Sequence, residues 1–260
     1  MSFLGEILCR KAAEVEERRR KTSERELITR ASDLPPPRSL AEALSPRGGP
    51  VRVVAEVKRA SPSAGEIAAA LDAPAQAARY AAGGAAAVSI LTDGPGFGGA
   101  LEDLAGARRQ VALPLLRKDF VIDRYQLLEA RVAGADAALL IAAALSEDGL
   151  AGLVEDCAAL QLTPLVEVHD EWEVEAALAA GAQVVGVNNR NLKTMKVDLS
   201  VSERLLPMLP ETVKAVAESG VRTAEDVRRL RAAGAANFLV GEALVRAADP
   251  AALLKELMEA

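Results

Sequence analysis

From residue 51 onward, short runs of β-branched and aliphatic residues alternate with longer stretches rich in Ala, Leu, Glu and Arg. The apolar runs fall at 51–57 (Val-Arg-Val-Val-Ala-Glu-Val), 86–91, 113–117, 137–142, 163–168, 183–188, 213–217 and 237–240. Parallel strands covered on both faces read as near-continuous apolar runs, and these do. Eight strands, each followed by a helical stretch, predict an α/β fold: a single closed (β/α)8 TIM barrel. A small repeat marks the register. Ala82-Gly83-Gly84-Ala85, Ala133-Gly134-Ala135, Ala180-Gly181-Ala182 and Ala233-Gly234-Ala235 each stand just before a strand. There a left-handed Gly ends the preceding helix and small Ala lets the chain turn inward. Helix starts are also legible: Asp170 and Thr223 place an N-cap oxygen three residues before Glu173 and Asp226.

Ahead of the barrel (51–260), residues 1–50 are expected to form an N-terminal helical extension. Residues 3–31 read as one helix, with Phe3, Leu4, Ile7, Leu8, Ala12 and Val15 at helical spacing and charges on the other face. The charged run Glu14 to Arg25 reads as solvated. Pro35-Pro36-Pro37 ends the helix, and a short segment at 40–44 and a Gly48-Gly49-Pro50 turn follow.

The chain's 260 residues match the roughly 250 that such a barrel uses. With 31 Lys and Arg against 37 Asp and Glu, the net charge of −6 argues against coating nucleic acid or an anionic membrane. The low aromatic content, 3%, argues against base stacking. Any anionic ligand must be held by local basic groups and backbone N–H donors. Two cysteines, Cys9 and Cys157, fit a reducing cytosol and read as two buried thiols. No run is apolar enough to span a membrane, and Met1 to Glu6 lacks the signal-peptide pattern, so a cytoplasmic location is expected.

In such a barrel, chemistry sits where the strands end. The first strand ends in Glu56, Lys58 and Ser61; the third in Arg117-Lys118-Asp119-Phe120; the fifth in Glu167-Val168-His169. The sixth ends in Asn188-Asn189-Arg190, the seventh in Glu218-Ser219-Gly220 and the eighth in Gly241-Glu242. Two chemical subsets separate. Ser61, Ser219, Gly220 and Gly241 offer hydroxyls and approachable N–H groups, and the loops after strands seven and eight are the usual phosphate site of the fold. Alternatively these glycines only turn the chain. The second subset, Glu56, Lys58, Lys118, Glu167, Asn188, Arg190 and Glu218, suits acid–base work, since amines and carboxylates facing one cavity shift each other's proton affinity. The alternative is a structural ion-pair lattice. His169 is read as a cap or surface group at the helix entrance and Trp172 as packed on the barrel wall. With a single His, a His-based metal site is not expected.

Ala55-Glu56-Val57-Lys58-Arg59-Ala60-Ser61-Pro62-Ser63 resembles the first-strand signature Glu-x-Lys-x-x-Ser-Pro-Ser of the indole-3-glycerol-phosphate synthase family. Leu116 to Phe120, Val166 to His169, Val187 to Leu192, Ala217 to Gly220 and Leu239 to Leu244 resemble its later strand ends, in order. The loop Leu91 to Gly99 departs from the family by lacking a paired aromatic and a Gly-Ser ending. Phosphoribosylanthranilate isomerases fit less well, because they carry Cys where this chain has Glu56 and Lys58.

The resemblance implies closure of an indole ring from 1-(2-carboxyphenylamino)-1-deoxyribulose 5-phosphate, with loss of carbon dioxide and water and no metal or organic cofactor. It implies a phosphate held by Ser61, Ser219, Gly220 and Gly241. Lys58, Arg190 and Asn188 would hold the aromatic carboxylate, and Phe120 and Leu140 would flank the ring. Lys118 is the expected general acid. Glu167 and Lys58 are candidates for the dehydration step, Glu56 is expected to tune the amines and to bind substrate or the ring-nitrogen proton, Glu218 completes the charged set, and the N-terminal helix is expected near the barrel mouth. The chain is expected to act on this small phosphosugar as a monomer or weak dimer. Another phosphosugar isomerase, a Schiff-base aldolase and a non-catalytic phosphate-sensing subunit remain open alternatives.

Overall fold

The computed structural model describes residues 3–260; Met1 and Ser2, which open the expected extension, lie outside the described residues. Eight parallel strands close into a barrel: β1 (Arg52–Val57), β2 (Ala87–Leu91), β3 (Leu115–Lys118), β4 (Ala137–Ile141), β5 (Thr163–Val168), β6 (Val184–Asn188), β7 (Lys214–Glu218) and β8 (Asn237–Val240). Each pairs with its neighbour in sequence, and β8 closes on β1 through Arg52 to Ala55 against Asn237 to Val240. The third and seventh strands run one residue further than expected, so Lys118 and Glu218 are their last residues.

Alternation divides the strands between two cores. Val54, Ala87, Leu116, Leu139, Ile141, Leu165, Val184, Val216 and Leu239 fill the barrel interior. Val53, Val88, Leu140, Val166, Val185 and Phe238 pack outward against the helical ring. The expected glycines do end the helices before strands: Gly84, Gly134, Gly181 and Gly234 all have φ between 79° and 101°. Asp170 and Thr223 are N-caps, accepting the N–H groups of Glu173 and Asp226.

The extension differs from its expectation. Residues 3–31 form two helices, α1 (Phe3–Lys21) and α2 (Glu24–Ser32). Ser23 takes an extended conformation and its Oγ accepts the Glu26 N–H, so this polar pair caps a new helix instead of continuing the old one. The charges do not all face water. Lys11 is buried, with its ammonium 2.6 Å from Asp93 and 2.9 Å from Asp119. Arg18 pairs with Glu129 at 3.0 Å, and Arg19 reaches Asp123 at 2.7 Å while lying over the Tyr125 ring. After β1 to β4 come α4 (Ala73–Ala82), α5 (Leu101–Gln110), α6 (Arg124–Val132) and α7 (Glu147–Ala159), and α1 is tied by charge to α6 and to the mouth loops. At the opposite end, α3 (Leu40–Ala43) supplies Leu40, and the chain just after it Leu44, to the interior core.

Two further expectations are corrected. Trp172 is 80% exposed, because the buried face of α8 (Glu171–Ala179) is taken by Val174 and Ala177. Cys9 is exposed on α1, while only Cys157 is buried, its thiol pushed up to about 12 by burial. No helix among the described residues is long and apolar enough to cross a membrane.

Burial would raise the Asp119 carboxyl, but Arg117 and Lys11 outweigh it and hold the group well below the usual carboxylate range. Breaking a buried ion pair by removing one partner costs about 3–5 kcal/mol. Lys11→Met is therefore expected to lose stability of that order in urea unfolding. A change within about 0.5 kcal/mol, as at an ordinary surface site, would contradict the buried bridge.

Candidate active site

The strand register sets the site. In a parallel pair, partnered residues point to the same side of the sheet. Lys118 is partnered with Leu91, Glu167 with Ile141, and Asn188 with Glu218, and all six line one cleft at the C-terminal mouth. Arg117, one residue before Lys118, points the other way and is buried against Asp119 and the Gln126 carbonyl.

At the cleft floor the Lys118 ammonium donates to Glu167 Oε2 at 2.9 Å and lies 3.4 Å from Glu218 Oε2. Beside it, Lys58 Nζ is 2.9 Å from Glu56 Oε1. Gly186 on β6 makes room for this arrangement, since a methyl group there would collide with Glu218 Oε1. Gly241 does the same for the Glu56–Lys58 pair.

Two ammonium groups, Lys58 and Lys118, thus face three carboxyls, and Glu218 is the one pushed toward its protonated form. Burial pushes Glu218 up to about 8, with Glu167 and Glu56 adding to the rise and Lys118 opposing it. Burial would also raise Glu167, but Lys118 and His169 outweigh it and hold its carboxylate well below the ordinary range. Lys118 is lowered by burial and raised more strongly by Glu167, Glu218 and Glu56, so it remains an ammonium. Of neighbouring carboxyls pushed apart in this way, the one held low, Glu167, is the one available as a base.

The rim carries the other subset. Ser61, Ser219, Gly220 and Gly241 line the same cleft. Ser219 and Gly220 have successive left-handed φ values of 62° and 88°, which turn the chain sharply after β7. A methyl at Gly220 would also strike Val197, so packing alone demands glycine there. Arg190 reaches the cleft wall, donating to Ser63 Oγ at 2.8 Å and to the Met195 carbonyl at 3.1 Å. Asn188 accepts the Arg190 N–H at 2.9 Å. Phe120 lies on the wall with Phe97, their ring centroids 6.1 Å apart, so the divergent loop after β2 still supplies an aromatic to the cleft.

One expected ring contact is wrong. Leu140 is fully buried in the outer core. Its neighbours Leu139 and Ile141 line the cleft instead, as strand alternation requires. His169 is at the entrance to α8, but it is not a surface group: its ring sits between Glu167 and Glu173. Sequence reasoning missed three more contributors. Phe3 and Leu4 of α1 line the cleft, which places the N-terminal helix at the mouth as expected but names the residues. Asn189 donates to the Glu218 and Ser219 carbonyls and accepts the Ser202 N–H, buckling the turn after β7. Its signal was present in the doubled Asn, where only one of two adjacent strand residues can face inward.

Fold and cleft together define a (β/α)8-barrel enzyme with an acid–base floor and a glycine-lined rim at the C-terminal mouth. Within that class the chain belongs to the indole-3-glycerol phosphate synthase family, whose family model matches residues 4–257. The indole-3-glycerol phosphate synthase of Streptomyces griseus is 49% identical over 260 residues, covering 100% of this chain and 96% of the relative. That of Desulfosudis oleivorans is 46% identical, covering 98% of each. A crystal structure of 3-hexulose-6-phosphate synthase superposes with a TM-score of 0.61 over 81% of this chain and 99% of that one; at 20% identity it shows the shared fold alone.

The raised Glu218 carboxyl has a consequence for stability. The folded chain holds this proton more tightly than the unfolded chain does, so the stabilisation is complete below the ordinary 4.5 and is lost as pH rises through about 8. Glu167, held low, has its own window below 4.5 and acts in the opposite sense. Between about pH 5 and pH 8 the parent should therefore lose stability relative to Glu218→Gln in paired denaturation curves. Parallel pH dependence in the two proteins would contradict a neutral Glu218.

Proposed function

We propose that this chain is an indole-3-glycerol-phosphate synthase. It would convert 1-(2-carboxyphenylamino)-1-deoxyribulose 5-phosphate into indole-3-glycerol phosphate, carbon dioxide and water, a step of tryptophan biosynthesis. The observation that carries the reading is an ammonium, Lys118, shared by two buried carboxyls, Glu167 and Glu218, in a cleft whose rim has the glycine turns of a phosphate site.

The substrate is an anion at both ends. Its phosphate would rest on Ser61, Ser219, Gly220 and Gly241, where glycine lets backbone N–H groups approach oxygen. Its carboxylate would meet Lys58 and Arg190, with Asn188 beside them, and its ring would lie against Phe120, Ile141 and Leu139. Attack of the aromatic carbon on the ketone builds an alkoxide, to which Lys118 delivers a proton as the carbon–carbon bond forms. A tightly held ammonium suits that role: it is charged before reaction, and the alkoxide is basic enough to take its proton. Loss of carbon dioxide then restores the aromatic ring. Departure of the hydroxyl as water needs an acid, assigned to Lys58. The last ring proton needs a base, assigned to the ionised Glu167. Glu56 and Glu218 hold the two amines in place.

All these groups come from one chain, so the site is complete without a second copy, with residues 1–50 as an extension serving the 51–260 barrel. A Schiff-base reading is disfavoured, because that chemistry needs a neutral lysine and Lys118 is held as an ammonium.

The test mixes purified protein with the anthranilate-derived substrate and follows growth of indole fluorescence. Lys118→Met should lose at least the roughly 10²–10⁴-fold that one acid–base partner supplies, while phosphate-end binding stays measurable. Glu167→Gln should lose most activity and remain folded. Near-normal turnover by Lys118→Met would remove that residue from its role.

A further inference from the structure

His169 is the only histidine of the chain, and the steps above do not use it. Its side chain is largely buried at the junction of β5 and α8. Nδ1 is 2.9 Å from Glu173 Oε2, and the same oxygen accepts the His169 backbone N–H at 2.7 Å. Glu173 is itself fixed, because its N–H donates to the N-cap oxygen of Asp170 at 3.0 Å. Swinging the ring would therefore give up its contact with a carboxylate that the start of α8 holds in place. Its other nitrogen, Nε2, lies 3.4 Å from Glu167 Oε1, an ion-pair distance without hydrogen-bond alignment, and is otherwise unpartnered. Lys118 holds the opposite oxygen, Oε2.

We propose that His169, clamped by Glu173, is a positioning residue that holds the Glu167 carboxylate oriented and ionised from the side away from Lys118. The need for it rests on the proposed reaction. While Lys118 has given its proton to substrate, Glu167 loses its nearer positive partner, and a carboxylate without one gains proton affinity. A second cation on the other oxygen keeps the base charged through that interval. The charged groups facing the imidazole are Glu167 from β5 and Glu173 from α8; Lys118 from β3 reaches it only through Glu167. Burial lowers the imidazole, but the two carboxylates outweigh it and carry His169 up to about 10. It is then a cation across the physiological range.

Two measurements test this, and the first does not depend on the substrate. With one histidine, the imidazole gives a single NMR titration. In the parent it should stay protonated through pH 8, and Glu167→Gln and Glu173→Gln should each lower its midpoint. Titration near the ordinary 6.5 in the parent would overturn the proposal whatever the reaction proves to be. The second is the pH profile of turnover. His169→Ala should lower kcat about tenfold, a fraction of what a general base supplies, with KM little changed. Its acid limb should move up by about one unit or more, and His169→Lys should move the limb back. A fall in kcat with an unmoved acid limb, or with no recovery in His169→Lys, would mark a structural role only and overturn the proposal. If the parent itself fails to turn the substrate over, the reaction assignment fails, and the NMR titration still decides whether His169 charges Glu167.

Discussion

The site depends on one ammonium placed between two carboxyls where water is scarce. Lys118 bonds Glu167 and stands close to Glu218 at the end of a closed barrel, so neither carboxyl can relax away from it. Three such groups cannot all be charged comfortably in a buried place, and the outcome is a division: Lys118 charged, Glu167 charged, Glu218 neutral. With the Glu56–Lys58 and Glu173–His169 pairs beside them, three cations balance three anions. A net-neutral floor under a doubly anionic substrate leaves recruitment to the rim and to the response of the amines when substrate oxygens arrive.

Much of the fold serves that placement. Gly186 leaves the space that Glu218 Oε1 occupies, and Asn189 ties the chain just beyond Glu218 to the helix Ser200–Leu205 that lies between β6 and β7. Below the floor, aliphatic side chains and the Leu40–Leu44 plug exclude water, which strengthens the electrostatic coupling above them. On the far side of β3, Arg117, Asp119, Thr92 and Lys11 form a buried polar network that fixes the strand end carrying Lys118. Lys11 belongs to α1, so the N-terminal helix is coupled to the catalytic strand by charge as well as by the apolar contact of Phe3 and Leu4 with the cleft.

The barrel was legible because each strand is covered on both faces and leaves an unbroken apolar run, and because a left-handed glycine follows four of the helices that precede strands. The inward charged residues were legible for a related reason: Glu56, Lys118, Glu167 and Glu218 interrupt or terminate apolar strands, where packing alone selects hydrocarbon. Leu140 was misassigned because three adjacent aliphatic residues give no polarity contrast to show which faces inward; pairing Ile141 with Glu167 settles it. Lys11 was hidden in a helix dense with charge, where a buried amine and an exposed one look alike until the carboxylates of two distant loops converge on it. The break at Ser23 carries a signal, Ser23 followed three residues later by Glu26, but it lies inside a charged run with no apolar position between Val15 and Leu27 to show where one helix stops and the next begins. His169 is hard to read from sequence because a residue just past a strand can stand at a helix entrance and still be buried against a cleft residue, here Glu167.

The most direct measurement is isotope-edited infrared spectroscopy of the Glu218 carboxyl, assigned by its loss in Glu218→Gln. The account predicts a protonated-carboxyl band at pH 6 that disappears with a midpoint of about 8. A carboxyl already ionised at pH 6, with a midpoint near the ordinary 4.5, would contradict the unequal sharing of Lys118.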